Sequence, residues 1–167
     1  QPPAKPNSGQ IKKATQLIEK AERPVILAGH GVILSKAYEE LIELAEKAQI
    51  PVITTLLGVS SFPADHILYA GWPGMHGMAY SSLALEESDL IIALGCRFDD
   101  RITGDTRTFA KNSRKIHVDI DPSEIGKNVK VDVPIVGDLK NVLTVLNKEV
   151  SEKSNVDWIN RISTLRN

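Results

Sequence analysis

The sequence predicts an α/β fold: a doubly wound, mainly parallel sheet with helices on both faces. Short apolar runs alternate with segments of helical periodicity along the chain, which is the pattern of repeated β–α–β units. The apolar runs are continuous, as expected for strands that are covered on both faces of a sheet. No internal repeat interrupts this order, and 167 residues suit one domain.

The first half of the chain contains two predicted helices and two predicted strands. Residues 11–23 (IKKATQLIEKAER) have apolar residues at helical spacing and end before a proline. Residues 24–29 (PVILAG) form the first strand. Residues 35–49 (SKAYEELIELAEKAQ) form the next helix, for which Ser35 is the predicted N-cap. Residues 50–56 (IPVITTL) form the second strand.

The second half continues the alternation. Residues 78–88 (MAYSSLALEES) are a predicted helix, and residues 89–95 (DLIIALG) are the third strand. The fourth strand, 115–121 (KIHVDID), ends before a proline that is well placed to start a helix. A short fifth strand, 133–138 (VPIVGD), leads into a last long helix whose N-terminus Asp138 can cap.

The two ends of the chain differ from this middle. Residues 1–9 (QPPAKPNSG) hold three prolines and are predicted to be a linker. Residues 151–167 are predicted to form a short polar helix or linker, which needs a partner surface to bury Trp158. Linker-like ends indicate a domain from the middle of a multidomain chain, and frayed natural termini are the alternative.

Composition argues against several classes of function. Hydrophobic content of 42% and charged content of 25% are ordinary for a globular protein. A net charge of −1 argues against nucleic-acid binding, and no apolar run approaches the roughly 20 residues that span a bilayer. The single cysteine, Cys96, cannot form an internal disulfide, which favours a reducing compartment such as the cytoplasm.

The residues that follow each predicted strand are the first candidates for a binding site, because ligands of doubly wound sheets bind outside the carboxyl ends of the strands. Glycines, hydroxyls, carboxylates and a guanidinium group occur there in five stretches: 29–32 (GHGV), 55–58 (TLLG), 95–100 (GCRFDD), 119–122 (DIDP) and 137–139 (GDL). This set is typical of a nucleotide site, and it indicates neither a metal centre nor a hydrolase triad.

Two of these stretches have a structural interpretation beside the binding one. Gly29 and Gly31 would let the backbone approach a pyrophosphate, but G-x-G alone also fits a tight turn. Asp119 is the better candidate to accept hydrogen bonds from ribose hydroxyls. Asp121 is predicted to cap the turn that begins at Pro122.

The loop after the third strand is dense in charge. Residues 95–104 (GCRFDDRITG) set Arg97, Asp99, Asp100 and Arg101 around one phenylalanine. The two arginines are four residues apart and suit a fork that grips an anion, with the carboxylates holding the arginines or meeting ligand hydroxyls. The competing interpretation is that these charged side chains form salt bridges only with one another and bind no ligand, and the residues alone leave both interpretations open.

A glycine-rich stretch, residues 71–80 (GWPGMHGMAY), surrounds Met75 and His76. Glycines allow backbone to pack closely on a flat ligand, and a methionine can lie against an aromatic ring. A single histidine with neither a cysteine nor a second histidine beside it does not make a zinc site.

Taken together, these stretches resemble the central domain of the acetohydroxyacid synthase (acetolactate synthase) family of thiamine-diphosphate enzymes. The resemblance covers essentially the whole chain and favours the FAD-containing biosynthetic type, a flavoprotein, over the flavin-free catabolic type. The segments that carry it are 74–77 (GMHG), 88–104 (SDLIIALGCRFDDRITG), 115–128 (KIHVDIDPSEIGKN) and 136–139 (VGDL).

The resemblance implies a Rossmann-like, FAD-binding-type central domain at residues 10–150 of a three-domain subunit. The family's enzyme is a carboligating transferase that joins two 2-keto acids, forming 2-acetolactate from pyruvate in valine, leucine and isoleucine biosynthesis. Thiamine diphosphate and Mg²⁺ are bound by the flanking domains, so this chain alone is expected to be inactive. Residues 151–167 would lead toward the missing catalytic domain, and FAD would be structural.

The resemblance also implies FAD contacts at the strand ends. The glycines would lie near the diphosphate and ribityl portion, and Thr55 and its neighbours near the flavin, with Asp119 toward the adenosine. No catalytic residue or metal ligand is implied, but Met75, Asp100 and Arg101 would border the channel to the thiamine. The implied cofactor-binding residues are Gly29, Gly31, Thr55, Leu56, Leu57, Met75, His76, Gly95, Arg97, Asp99, Arg101, Asp119, Ile120, Asp138 and Leu139.

The partners that the resemblance implies are the flanking domains of the same subunit, a homodimer or homotetramer, and a regulatory small subunit, without nucleic acid or membrane. The location would be cytoplasmic in a bacterium and plastid or mitochondrial in a eukaryote. The alternative is a self-sufficient NAD-binding domain of a deacylase or dehydrogenase, which requires a complete glycine fingerprint or a catalytic histidine with a nearby asparagine. A flavin-free regulatory or structural domain is a third hypothesis.

Overall fold

The computed structural model describes residues 5–71, 79–98 and 110–166. They form a five-stranded sheet in which every neighbouring pair of strands is parallel. The spatial order is β2-β1-β3-β4-β5, which confirms the predicted doubly wound α/β sheet. The strands are β1 Pro24–Ala28, β2 Val52–Thr54, β3 Leu90–Leu94, β4 Arg114–Asp119 and β5 Val133–Val136.

Helices cover both faces of this sheet. One apolar cluster joins α1, α3 and α5 to one face, and a second cluster joins α4 and α6 to the other. Both clusters include β1 and β3, whose successive side chains point to opposite faces and are buried on each. The helices are α1 Ser8–Lys20, α2 His30–Leu34, α3 Tyr38–Ala48, α4 Ala79–Glu87, α5 Leu139–Glu149 and α6 Val156–Arg166, and 3-10 turns span Leu56–Ser61 and Pro122–Glu124.

Side-chain caps fix the first turns of two long helices. The side-chain oxygen of Asn7 accepts a hydrogen bond from the amide of Gln10 at 3.1 Å, so α1 begins inside the stretch 1–9 that was expected to be a linker. Asp138 accepts from the amide of Asn141 at 3.1 Å and caps α5, as predicted. Both caps satisfy amide groups that a first turn leaves without a partner.

The prediction that Ser35 caps the second long helix is wrong. A short helix, α2, intervenes, and Ser35 follows its end and donates its hydroxyl hydrogen to the carbonyl of Gly31 at 2.8 Å. The chain then passes through Lys36 with a left-handed φ of 55°, and α3 begins at Tyr38. Only the surrounding structure can impose this turn, because a lysine has no intrinsic preference for left-handed backbone.

The chain after β4 forms a single turn of 3-10 helix. Asp121 caps it, as predicted, and accepts hydrogen bonds from the amide and hydroxyl of Ser123 at 2.9 and 2.8 Å. These bonds, with a smaller contribution from Arg97, hold the pKa of Asp121 below its usual value. The proline at the start of this stretch therefore begins a turn of three residues, Pro122–Glu124, and no long helix follows.

The C-terminal segment packs onto the rest of the same domain, which provides the partner surface that Trp158 needs. Trp158 is buried and donates its Nε1 hydrogen to the carbonyl of Pro24 at 2.8 Å. Lys153 and Asn155 donate to carbonyls at the ends of α1 and α3, at 2.9 and 3.0 Å. Residues 151–158, which we call the C-terminal strap, therefore close the amino edge of the sheet beside β1.

Candidate functional site

The strand-end candidates lie at the carboxyl edge of the sheet. Because all five strands are parallel, they end at the same edge, as the sequence predicts. The chain passes from β1 outward to β2 and then returns to β3 on the other side of β1, so the direction of winding reverses between β1 and β3. In doubly wound folds, this switch point is where ligands bind.

Three predicted glycines meet at the switch point. The amide of Gly31 donates to the carbonyl of Gly95, and the amide of Gly29 donates to the carbonyl of Leu94, each at 2.9 Å. A Cβ atom on Gly29 would lie 2.3 Å from the Cβ atom of Cys96, and one on Gly31 would lie 2.6 Å from the Cα atom of Gly95. Close approach of backbone to backbone is therefore sufficient to explain these glycines.

A fourth glycine, Gly58, belongs to the same cluster; it ends the predicted stretch 55–58, but it is not among the implied cofactor-binding residues. Its Cβ atom would lie 2.5 Å from the carbonyl oxygen of Ala28 and 2.9 Å from the Cα atom of Gly29. The hydroxyl oxygen of Thr55 accepts a hydrogen bond from the amide of Gly58 at 3.1 Å, so this predicted site residue also caps the 3-10 turn after β2. The available signal was a glycine four residues after the second strand.

Apolar side chains are exposed at this edge. Leu56 and Leu57 are 52% and 66% exposed on the turn after β2, and Ile120 is 70% exposed after β4. Single exposed apolar residues are common, but these three predicted ligand positions all border one edge. Leu139, in contrast, is buried in the core, so its side chain is engaged in packing.

Arg97 is an exposed cation at this edge. Its Nε atom lies 3.2 Å from the Oε2 atom of Glu124, and the side chains are 69% and 15% exposed, respectively. The atom pair that defines this ion pair involves Nε of the guanidinium group. Among the described residues, the two terminal nitrogens of Arg97 make no hydrogen bond. Sequence reasoning misses Glu124, which lies within SEIGKN of the fourth-strand stretch.

The predicted carboxylates have structural partners. Asp119 is half-buried, and its Oδ1 atom accepts a hydrogen bond from the amide of Asp121 at 2.9 Å. Asp138 caps α5. An ionised carboxylate has about four acceptor positions, so each of the two retains the capacity to accept from a ligand.

Residues of β4 and beyond fix the loop that follows β3. His117 is fully buried, and its Nε2 atom lies 2.8 Å from the carbonyl oxygen of Cys96, so Nε2 carries the hydrogen and donates it. The side-chain amide of Asn128 donates to the carbonyl of Phe98 at 3.0 Å. The rings of Phe98 and His117 meet edge to face with centroids 5.2 Å apart. Burial lowers the pKa of His117, which keeps the imidazole neutral.

Two clefts in the described chain lie away from this edge. One adjoins the C-terminal strap and is lined by cations and anions together, and the other lies between α1 and α5. Neither contains a predicted site residue. Within the described ranges no His, Cys, Asp and Glu side chains group in a way that could hold a metal ion, and no helix has the length and apolar character to cross a membrane.

The structure thus places the described site residues along one edge, as the set of strand ends predicts. That edge offers a guanidinium group, two carboxylates and exposed apolar surface. This combination can bind a ligand that carries an anion, hydroxyls and a flat ring. Five predicted residues lie outside the described part of the chain: Met75, His76, Asp99, Asp100 and Arg101.

Comparison with known proteins supports a specific interpretation of this edge. Residues 11–146 match the family model described as "Thiamine pyrophosphate enzyme, central domain". The chain is 54% identical over 162 residues to the "Probable acetolactate synthase large subunit" of Methanocaldococcus jannaschii, which covers 94% of this chain and 27% of that protein.

Two further relatives carry similar names. The chain is 53% identical over 145 residues to the "Acetolactate synthase" of Mycobacterium bovis, covering 87% of this chain and 24% of the relative. It is 52% identical over 145 residues to the "Acetolactate synthase large subunit" of Corynebacterium glutamicum, covering 87% and 23%. The chain therefore spans about a quarter of the length of these curated relatives.

Proposed function

The chain belongs to the family of thiamine pyrophosphate enzyme central domains, and on that premise we propose that it is the FAD-binding central domain of an acetolactate synthase large subunit. Identities of 54% and 53% to proteins of that name support the assignment. The observation that supports FAD as the ligand is the combination of a guanidinium group, two carboxylates and exposed apolar side chains at the carboxyl edge. The alternative of a self-sufficient NAD-binding domain gains no support from these relatives.

The chemistry of the edge fits FAD. The planar guanidinium of Arg97 matches phosphate oxygens, and Asp119 can accept hydrogen bonds from ribose hydroxyls. Leu56, Leu57 and Ile120 offer exposed apolar surface to planar rings. We assign FAD a structural role, because joining two 2-keto acids with loss of CO₂ involves no net oxidation or reduction.

The described residues would bind and orient the ligand without taking part in bond formation. The glycines of the switch point hold α2 against the loop after β3, and they hold the turn after β2 against the end of β1, so this part of the edge is held by contacts within the chain itself. Met75, His76, Asp99 and Arg101 are proposed to complete the FAD site. Met75, Asp100 and Arg101 are proposed to border the channel to the thiamine.

For the whole protein, we infer an enzyme that converts pyruvate to 2-acetolactate in branched-chain amino-acid biosynthesis. Thiamine diphosphate and Mg²⁺ would be held by flanking domains, so the chain alone would be inactive. A homodimer or homotetramer, a regulatory small subunit and a cytoplasmic location belong to the same proposal. Its support is the similarity to acetolactate synthase large subunits over most of the chain.

Flavin binding and activity test this proposal in the full-length protein that contains the chain. The purified protein should be yellow, should release FAD on denaturation, and should form acetolactate from pyruvate only with thiamine diphosphate and Mg²⁺. The chain alone should quench FAD fluorescence weakly and should not form acetolactate. Thermal stabilisation by NAD and not by FAD, with no acetolactate formed, would overturn the proposal in favour of the NAD-binding alternative.

A further inference from the structure

Three consecutive residues of the loop after β3 are each held by a different side chain from one segment, residues 117–128. The contacts therefore come from β4 and the turn beyond it, which is the neighbouring strand end at the carboxyl edge. They are His117 with the Cys96 carbonyl at 2.8 Å, Glu124 with the Arg97 guanidinium at 3.2 Å, and Asn128 with the Phe98 carbonyl at 3.0 Å.

The middle contact joins a fixed anion to an exposed cation. Glu124 stands on the 3-10 turn that Asp121 caps, and its side chain is only 15% exposed. Arg97 is 69% exposed, so its long side chain would sample many rotamers without a partner. Restricting those rotamers costs free energy, because an arginine side chain carries about 2 kcal/mol of rotamer entropy.

We propose that Glu124 is a positioning residue that orients Arg97 toward the anionic part of the bound ligand. The contact at Nε leaves the two terminal nitrogens for two oxygens of a single phosphate group, which is the bidentate geometry that guanidinium groups favour. Because the side chain is held before binding, less entropy is lost when the ligand arrives. The inference rests on the proposed function, since the anion concerned is the diphosphate of FAD.

The charge of Glu124 acts in the opposite direction. A carboxylate beside an anion site repels the anion, so a pure charge effect predicts that neutralising Glu124 would tighten FAD binding. Positioning predicts that the oxygen acceptor matters more than its charge. The two effects can be separated by one pair of conservative variants.

The experiment measures the FAD dissociation constant of the full-length protein by flavin fluorescence. Glu124→Asp keeps the charge but withdraws the carboxylate by one methylene, and we expect about tenfold weaker binding, equivalent to about 1.4 kcal/mol. Glu124→Gln keeps an oxygen at the same reach, and its affinity should stay within about threefold of the wild type. Glu152→Ala removes an exposed carboxylate of the C-terminal strap, at the opposite edge of the sheet, and should leave the affinity unchanged.

A double-mutant cycle separates positioning from general structural damage. Arg97→Ala should weaken FAD binding, and Arg97→Ala combined with Glu124→Asp should be no weaker than Arg97→Ala alone, because the effect of Glu124 acts through Arg97. The inference would be overturned if the losses of FAD affinity in the two single variants multiplied in the double variant. It would also be overturned if Glu124→Asp bound FAD as tightly as the wild type. A wild-type protein that binds no FAD would be a different result, since it would overturn the proposed function as well.

Discussion

The amide of Gly31 donates its hydrogen to the carbonyl oxygen of Gly95 across 2.9 Å, which places the first turn of α2 directly on the loop after β3. Gly95 has a left-handed φ of 61°, and a Cβ atom there would lie 2.6 Å from the Cα atom of Gly31. Position 95 therefore requires glycine for two independent reasons, its left-handed backbone conformation and the lack of space for a Cβ atom.

Replacing Gly95 should destabilise the fold more than replacing a glycine that has the same backbone conformation but open surroundings. For Gly95→Ala we expect the free energy of unfolding to fall by about 2–5 kcal/mol, from backbone strain plus the collision. Gly126 has a φ of 70° but no contact nearer than 4.0 Å, so Gly126→Ala should cost only about 1–2 kcal/mol. Urea denaturation measures both, and equal losses would contradict the packing argument.

The C-terminal strap should contribute to the stability of the domain. Trp158→Ala should lower the free energy of unfolding by about 3–5 kcal/mol, because the ring is buried. Trp158→Phe should cost about 1–3 kcal/mol, because it leaves the Pro24 carbonyl without its donor. Val156→Ala, at a position 62% exposed on α6, is the control and should change stability by less than about 0.5 kcal/mol. A loss in Trp158→Ala as small as the control's would show that the strap is dispensable.

His117 should make folding sensitive to mild acid. Burial lowers its pKa, although the hydrogen bond to Cys96 and the carboxylates of Asp119 and Glu124 oppose the shift. Its Nδ1 atom is buried without a hydrogen-bond partner among the described residues, so a proton added there would create an unpaired buried charge. As pH falls below about 6.5, the unfolded chain therefore binds a proton that the folded chain does not, and stability is lost.

The expected slope is up to about 1.4 kcal/mol of unfolding free energy per pH unit, and it ends at the lower pKa of the folded state. His117→Gln keeps a side-chain N–H donor for the Cys96 carbonyl but cannot titrate. Urea denaturation of both proteins between about pH 7.5 and pH 5 should show a smaller decrease for the variant. Parallel curves would show that His117 is not responsible.

Ile120 should matter for the ligand and not for the fold. At 70% exposure it contributes little to the core, so Ile120→Ser should change the free energy of unfolding by less than about 0.5 kcal/mol. If the side chain covers part of FAD, its loss should weaken FAD binding by about tenfold. The matched control for flavin fluorescence titration is Ile67→Ser, because Ile67 is 79% exposed and lies near the amino end of β2. Equal affinities in the two variants would remove Ile120 from the site.

The sheet could be predicted because each central strand is a continuous apolar run. Residues 24–29 and 89–95 contain β1 and β3, and both strands are buried on two faces. The short helix α2 could not be predicted, because five residues are too few to show a helical period. The break before α3 depends on the left-handed Lys36, for which the sequence carries no local signal.

Within the candidate site, the caps depend on contacts between residues close in sequence, whereas other contacts join residues far apart in sequence. Asp121 and Asp138 were predicted as caps because each bonds to an amide two or three residues away. The contact of His117 with the Cys96 carbonyl joins residues 21 apart and exists only because β3 and β4 are neighbours. Long-range partners of this kind follow from sheet register, which an apolar pattern alone does not specify.

The strand β1 is anchored at both of its ends. Its first residue, Pro24, receives the hydrogen bond of Trp158, and the residue just beyond its last is Gly29, wedged against Cys96. Hydrogen bonds to β2 and β3 along its length keep it from sliding. One strand therefore has its first residue fixed to α6 and the residue beyond its other end fixed to the loop after β3. The C-terminal strap and the carboxyl edge of the sheet are thus held in register by a single buried strand.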